Sequence, residues 1–168
     1  MSLYEQSVPH FTRLLQNLQA WLDKAEAHAK AKGFDAQVLL QSRLAPDQFP
    51  LLKQIQIACD AAKNTTARIA GKEPPAHPDT EQTLEEIRAR IATALAFLAG
   101  LNRSDFDGAD DRRVSLPVFQ GKSLSAPQYL FEYGTPNFYF HITTAYSILR
   151  HNGVELGKKD FLGRLSLA

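Results

Sequence analysis

Between Phe11 and Ala29 the apolar residues Phe11, Leu15, Leu18, Leu22, Ala25 and Ala29 follow one another at intervals of 4, 3, 4, 3 and 4. That alternation puts every one of them on a single stripe of an α-helix and is incompatible with a strand, whose faces repeat every second residue. A helix with one such seam has to bury it against other helices. The same pattern returns three more times. Leu51, Leu52, Ile55, Ala58, Ala61 or Ala62, and Ile69 mark a second helix from Pro50 to about Ala70. Leu84, Ile87, Ile91, Ala94 or Leu95, Leu98 and Leu101 mark a third, with Asp79 or Thr80 as its expected cap. Phe138, Ile142, Ala145 and Ile148 or Leu149 mark the last, opened by Pro136 and closed by the Asn152-Gly153 pair.

The segments between these helices carry turn chemistry. Gly33 and Gly71 close the first two helices. Lys72-Glu73-Pro74-Pro75-Ala76-His77-Pro78 is too rich in proline to be helical, which leaves His77 exposed. Helical period is absent from Asn102 to Ser125, where loose alternation on either side of Gln120-Gly121 predicts a small hairpin. A helical piece from Ala126 to about Tyr133 is expected to break at Gly134-Thr135-Pro136. The glycine-rich tail after Gly153 is expected to lie over the helices on Phe161 and Leu162. The chain therefore reads as all-α: one domain, residues 1–168, built as a four-helix up-and-down bundle with a small hairpin or loop insertion before the last helix.

Composition removes several classes of function. A net charge of +1 gives no general attraction to nucleic acid or anionic membrane. No apolar run approaches the roughly 18 residues of a membrane span, and no basic, apolar leader opens the chain. One cysteine, Cys59, excludes a disulfide framework and a cysteine-based zinc motif, so a cytoplasmic protein is expected. The chain holds no nucleophile elbow, Walker loop or dinucleotide glycine fingerprint. Asp105, Asp107, Asp110 and Asp111 lack the spacing and terminal glutamate of a calcium loop.

What remains is a set of polar residues on apolar faces. His141 sits on the stripe of the last helix, with Asn137 one turn before it on the same side. Gln54 and Asp60 fall near the apolar face of the second helix, and His10 lies near the start of the first. Tyr139 and Tyr146 read as packing residues with a polar tip, and Arg43 and Arg150 as partners for Asp47 or Asp60.

The last helix resembles that of the DinB and YfiT-like superfamily of four-helix-bundle metalloenzymes. That helix carries His-x-x-x-His-Arg-Gly-Gln, then leucine, arginine and a closing glycine. Counting back from Gly153 through Leu149-Arg150 sets His141 on the second histidine and Asn137 on the first. Leu51-Leu52-Lys53-Gln54 resembles the stretch that holds the remaining histidine, at Gln54. A closer resemblance, over essentially the whole chain, is to an uncharacterised bacterial family, domain of unknown function DUF1993. It is carried by Arg43 to Leu51, by Pro136 to His141 and by Asp160-Phe161-Leu162-Gly163.

The resemblance implies a divalent transition metal (zinc, nickel or iron) held by His141 with Asn137 and Gln54 at the other two ligand positions. It also implies a homodimer. Two carboxamides replace two imidazoles, and amide oxygens are weak ligands for those metals, which marks the site as degenerate unless Asp60 or His10 contributes. Three functions follow from these observations: a helical-bundle protein with a degenerate metal site and no catalysis; a metal-dependent transferase or hydrolase; or a small-ligand-binding protein with its pocket around Gln54 and His141. A purely structural role for His141 is that of a buried imidazole satisfied by Asn137, Gln54 or a tyrosine hydroxyl, fixing helix register.

Overall fold

The structure is a computed structural model that describes residues 2–165. Helix α1 (Leu3–Lys32) starts at Ser2, whose hydroxyl accepts the Glu5 N–H while the Glu5 carboxylate accepts the Ser2 N–H. This reciprocal cap satisfies two of the helix's otherwise orphaned donors. The helix runs through Pro9 without a break and ends at Gly33, in the left-handed conformation at φ 75°. The six seam residues from Phe11 to Ala29 are all at most 1% exposed, as their spacing predicts. Full burial of each leucine or phenylalanine contributes about 1.5–3 kcal/mol.

A 3-10 turn, Ala36–Gln41, seats Leu39 and Leu40 on the core and leads into α2 (Leu51–Ile69) behind Pro50. Helix α3 (Leu84–Ala99) begins four residues or so later than Asp79 or Thr80 would place it. Its cap is Thr83, paired with Glu86. Asp79, one of the two expected caps, reaches instead to Arg90, as does the nearby Glu81. An ion pair to a buried guanidinium outweighs the fraction of a kcal/mol that a carboxylate gains from an exposed helix dipole.

The segment after α3 forms 3-10 turns and a two-residue ribbon, β1 (Arg113–Val114) antiparallel to β2 (Leu124–Ser125) with Val114 opposite Leu124. Helix α4 (Ala126–Gln128) then continues through a π-helical stretch, Tyr129–Gly134, into α5 (Thr135–His151). The break expected at Gly134-Thr135-Pro136 is absent. The proline sits in the first turn of α5, and the wider π turn ahead of it accommodates the missing N–H. Gly134 stays right-handed and is required for a different reason, since a Cβ there would overlap the Thr65 side chain of α2.

Helices α1 and α2 pack on each other and on both α3 and α5. Helix α6 (Lys158–Leu162) closes over α1: Phe161 stacks on Trp21 at 5.5 Å, and the Trp21 indole N–H donates to the Asp160 carbonyl at 3.1 Å. Leu162, at 39% exposed, takes no part in that anchor. The architecture is all-α. Among the described residues, no helix is long and apolar enough to cross a membrane.

Candidate functional site

Where α2 faces α5, polar residues interrupt the core. Gln54 is 1% exposed and His141 8% exposed, and the Gln54 Oε1 lies 2.7 Å from the His141 Nδ1. The Gln54 amide nitrogen donates to the Phe49 carbonyl at 3.0 Å. That second bond commits the nitrogen, so the oxygen faces the imidazole and Nδ1 carries the proton. Burial lowers the His141 pKa, which keeps the ring neutral with its lone pair on Nε2.

Asn137, one turn before His141, opens elsewhere. It lines a cavity of about 150 Å³ between α2 and the π-helical segment, together with Asp60, Asn64, Arg68, Tyr129 and Tyr133. Asp60, Asn64 and Arg68 recur every fourth residue and form a polar stripe down α2. The Arg68 guanidinium donates to the Tyr129 hydroxyl at 3.2 Å. At roughly 30 Å³ per water, the cavity has room for a molecule of a few heavy atoms. Of these residues only Asp60 and Asn137 stand out in the sequence; the four-residue spacing of Asn64 and Arg68 after Asp60 is the signal for the rest.

Asp60 has a second attachment. Its Oδ2 lies 2.9 Å from Arg90, and its Oδ1 lies 3.0 Å from Lys63. The Arg90 guanidinium also reaches Asp79 at 2.9 Å and Glu81 at 3.0 Å, and Gln56 donates to Glu81 at 2.8 Å. Lys63, 2% exposed, lies 3.3 Å from Nδ1 of His77, so that linker histidine is half-buried rather than exposed. Arg43 and Arg150, read as partners for Asp47 or Asp60, donate to the Pro46 and Val154 carbonyls instead.

His10 sits on α1 against α5. Arg13 approaches its Nδ1 at 3.3 Å, so Nδ1 accepts and Nε2–H donates to the Tyr139 hydroxyl in a short contact. Burial, helped by Arg13, lowers the His10 pKa, and burial raises that of Tyr139. Cys59 is buried and its thiol is pushed up to about 12, which leaves it inert as a nucleophile at neutral pH.

The sequence matches the family described as "Domain of unknown function (DUF1993)" over residues 3–162. The chain belongs to the DUF1993 family. It is 51% identical to a DinB family member protein from Shewanella denitrificans, covering 99% of this chain and 94% of that one, with a TM-score of 0.95. No functionally curated protein matches. A DinB-like family of unknown function is therefore the identity that sequence and fold share.

The metal that this resemblance implies does not fit the residues present. Among the described residues, no group of three or more histidine, cysteine, aspartate or glutamate side chains is placed to hold a metal ion. His141 offers one imidazole nitrogen, the Gln54 oxygen is bonded to that same ring, and Asn137 lines the cavity with Asp60. Both Asp60 oxygens already meet cations. His10 is held by Tyr139 and Arg13.

Proposed function

We propose that this DUF1993 protein binds a small polar molecule without a metal, as a single domain whose four long helices form an up-and-down bundle. The cavity between α2 and the π-helical segment is its ligand site. The observation that carries the reading is the division of labour along the α2–α5 contact. Gln54 and His141 satisfy each other, while Asn64, Arg68 and Asn137 converge on open space one turn away and beyond. The cavity presents carboxamides, a guanidinium, phenolic hydroxyls and the Asp60 carboxylate, so it suits a ligand that both donates and accepts hydrogen bonds.

The reading is tested by fragment screening with NMR-detected amide shifts, using wild type, Asn137→Leu and His141→Leu. Fragments that shift residues around Asn64 and Asn137, that are lost in Asn137→Leu and that persist in His141→Leu support it. Metal content of untagged protein is measured alongside. A substoichiometric content is expected. Near one equivalent of zinc, nickel or iron, lost in His141→Ala, overturns the proposal in favour of a metal-dependent enzyme. Light scattering on the same samples tests the expected homodimer.

A further inference from the structure

A wider cleft of about 420 Å³ lies at the C-terminal end of α2, between the start of the proline-rich linker and the β1–β2 ribbon. Four cations line it, Arg68, Lys72, Arg112 and Arg113, against one carboxylate, Glu73. Lys72 is neutralised by Asp105 at 2.8 Å. The three arginines have no carboxylate partner among the described residues. Arg68 bonds the Tyr129 hydroxyl, Arg112 the Ile69 carbonyl, and Arg113 the Ser123 hydroxyl and carbonyl at 3.0 and 2.8 Å.

Helix capping explains one of these cations. The C-terminus of a helix carries the equivalent of roughly half a negative charge, and the Arg112 bond to Ile69 meets it. Arg68 and Arg113 are surplus to that need, in a protein whose net charge is only +1. The cleft is also built to hold Arg112 in place. Gly71 has a φ of 69°, and a Cβ on it would come within 2.8 Å of the Arg112 Nε, so the guanidinium occupies space that only a glycine leaves open. Pro74, Leu116 and Pro117 add apolar lining to the same cleft.

We infer that this cleft binds a small organic oxyanion, a phosphate or carboxylate group carried on a compact apolar body. Guanidinium forks recognise such groups in bidentate fashion, and the cleft's volume lies in the range of small-molecule sites. The inference stands apart from the Asn137 cavity: the two share only Arg68 as a wall.

The test is titration of the full chain with inorganic phosphate and, separately, malonate, followed by amide and arginine Nε resonances at constant ionic strength. Saturable shifts confined to Gly71, Lys72, Arg112, Arg113 and Ser115 are expected. The affinity falls at least tenfold in Arg68→Gln/Arg113→Gln, with Arg112 retained because it caps α2. Asn137→Leu leaves phosphate binding unchanged, so failure of the ligand cavity and failure of this cleft give different results. Tighter phosphate than malonate, or the reverse, upholds the site and names the group. The inference is overturned by shifts of equal size at Lys158 and Lys159, by non-saturating shifts, or by an affinity that the double variant leaves unaltered.

Discussion

Two polar clusters are packed against α2, and they solve the cost of burying polar groups in opposite ways. On the α5 side, Gln54 and His141 are neutral and meet through one hydrogen bond. On the α3 side, Arg90 draws Asp60, Asp79 and Glu81 around a guanidinium that is 1% exposed, with Lys63 behind Asp60. A neutral pair needs only its own partner. A buried charge needs several, and it recruits them from the linker as well as from the helices. The difference teaches that Asp60, a candidate for chemistry on its position alone, is a counterion. The neutral pair spends its hydrogen bonds on itself and on the Phe49 carbonyl. The charged cluster fastens residues 78–81 to α2 and α3.

Removing the centre of the charged cluster is expected to have the largest effect. Arg90→Met leaves three carboxylates without their common partner, and such a loss costs about 3 kcal/mol, at the low end for buried pairs because the carboxylates keep partial access to water. Chemical denaturation measures it, and a loss below 1 kcal/mol would show that the linker is held by something else.

The neutral pair is expected to respond less. Gln54→Leu or His141→Leu leaves a buried polar group unsatisfied, at about 1–3 kcal/mol each. The double variant removes both groups, so it is expected to cost less than the sum of the singles. Strict additivity in that cycle would show that the two side chains do not depend on each other.

pH separates the clusters further. Burial lowers the His141 pKa below its ordinary 6.5, so the unfolded chain takes up the proton first. The stability this contributes is complete above pH 6.5 and is lost as pH falls from there toward the folded value. His10 shifts in the same direction, so His141→Leu flattens the slope without abolishing it. Burial pushes the Asp79 and Glu81 carboxyls up, but Lys53 acting with Arg90 on Asp79, and Arg90 acting with Gln56 on Glu81, outweigh it and leave both pKa values lowered. Their contribution is present above the ordinary values of 3.8 and 4.5 and disappears as pH falls through the folded values. Arg90→Met therefore flattens the acid limb below pH 4.5 and leaves the limb near pH 6 intact. Denaturation midpoints across that range resolve the two limbs.

The smallest effect belongs to the rim of the charged cluster. Lys53 pairs with Asp79 at the surface, with both side chains about one-third exposed. Lys53→Met is expected to cost less than about 1 kcal/mol and to lose even that in high salt. A cost equal to that of Arg90→Met would mean that burial is not what distinguishes the two cations.

The four helical stripes, the glycine at the end of α1 and the ribbon before α4 were legible because periodicity and turn chemistry are local properties. Gln54 and His141 were legible as a pair through the family's motif spacing. Other features depend on which side chains meet across the fold. The start of α3 shifted because Asp79 and Glu81 answer to Arg90 rather than to their own helix end. The helix ran through Pro136 because a π turn precedes it and Thr65 packs against Gly134. Asn137 faces a cavity with Asp60 rather than the His141 ring, and Arg68, Arg112 and Arg113 share one cleft. A sequence shows the face of each helix on which a residue lies. Its partners are set by how the helices cross and where the connections run, and those follow from packing the whole core at once.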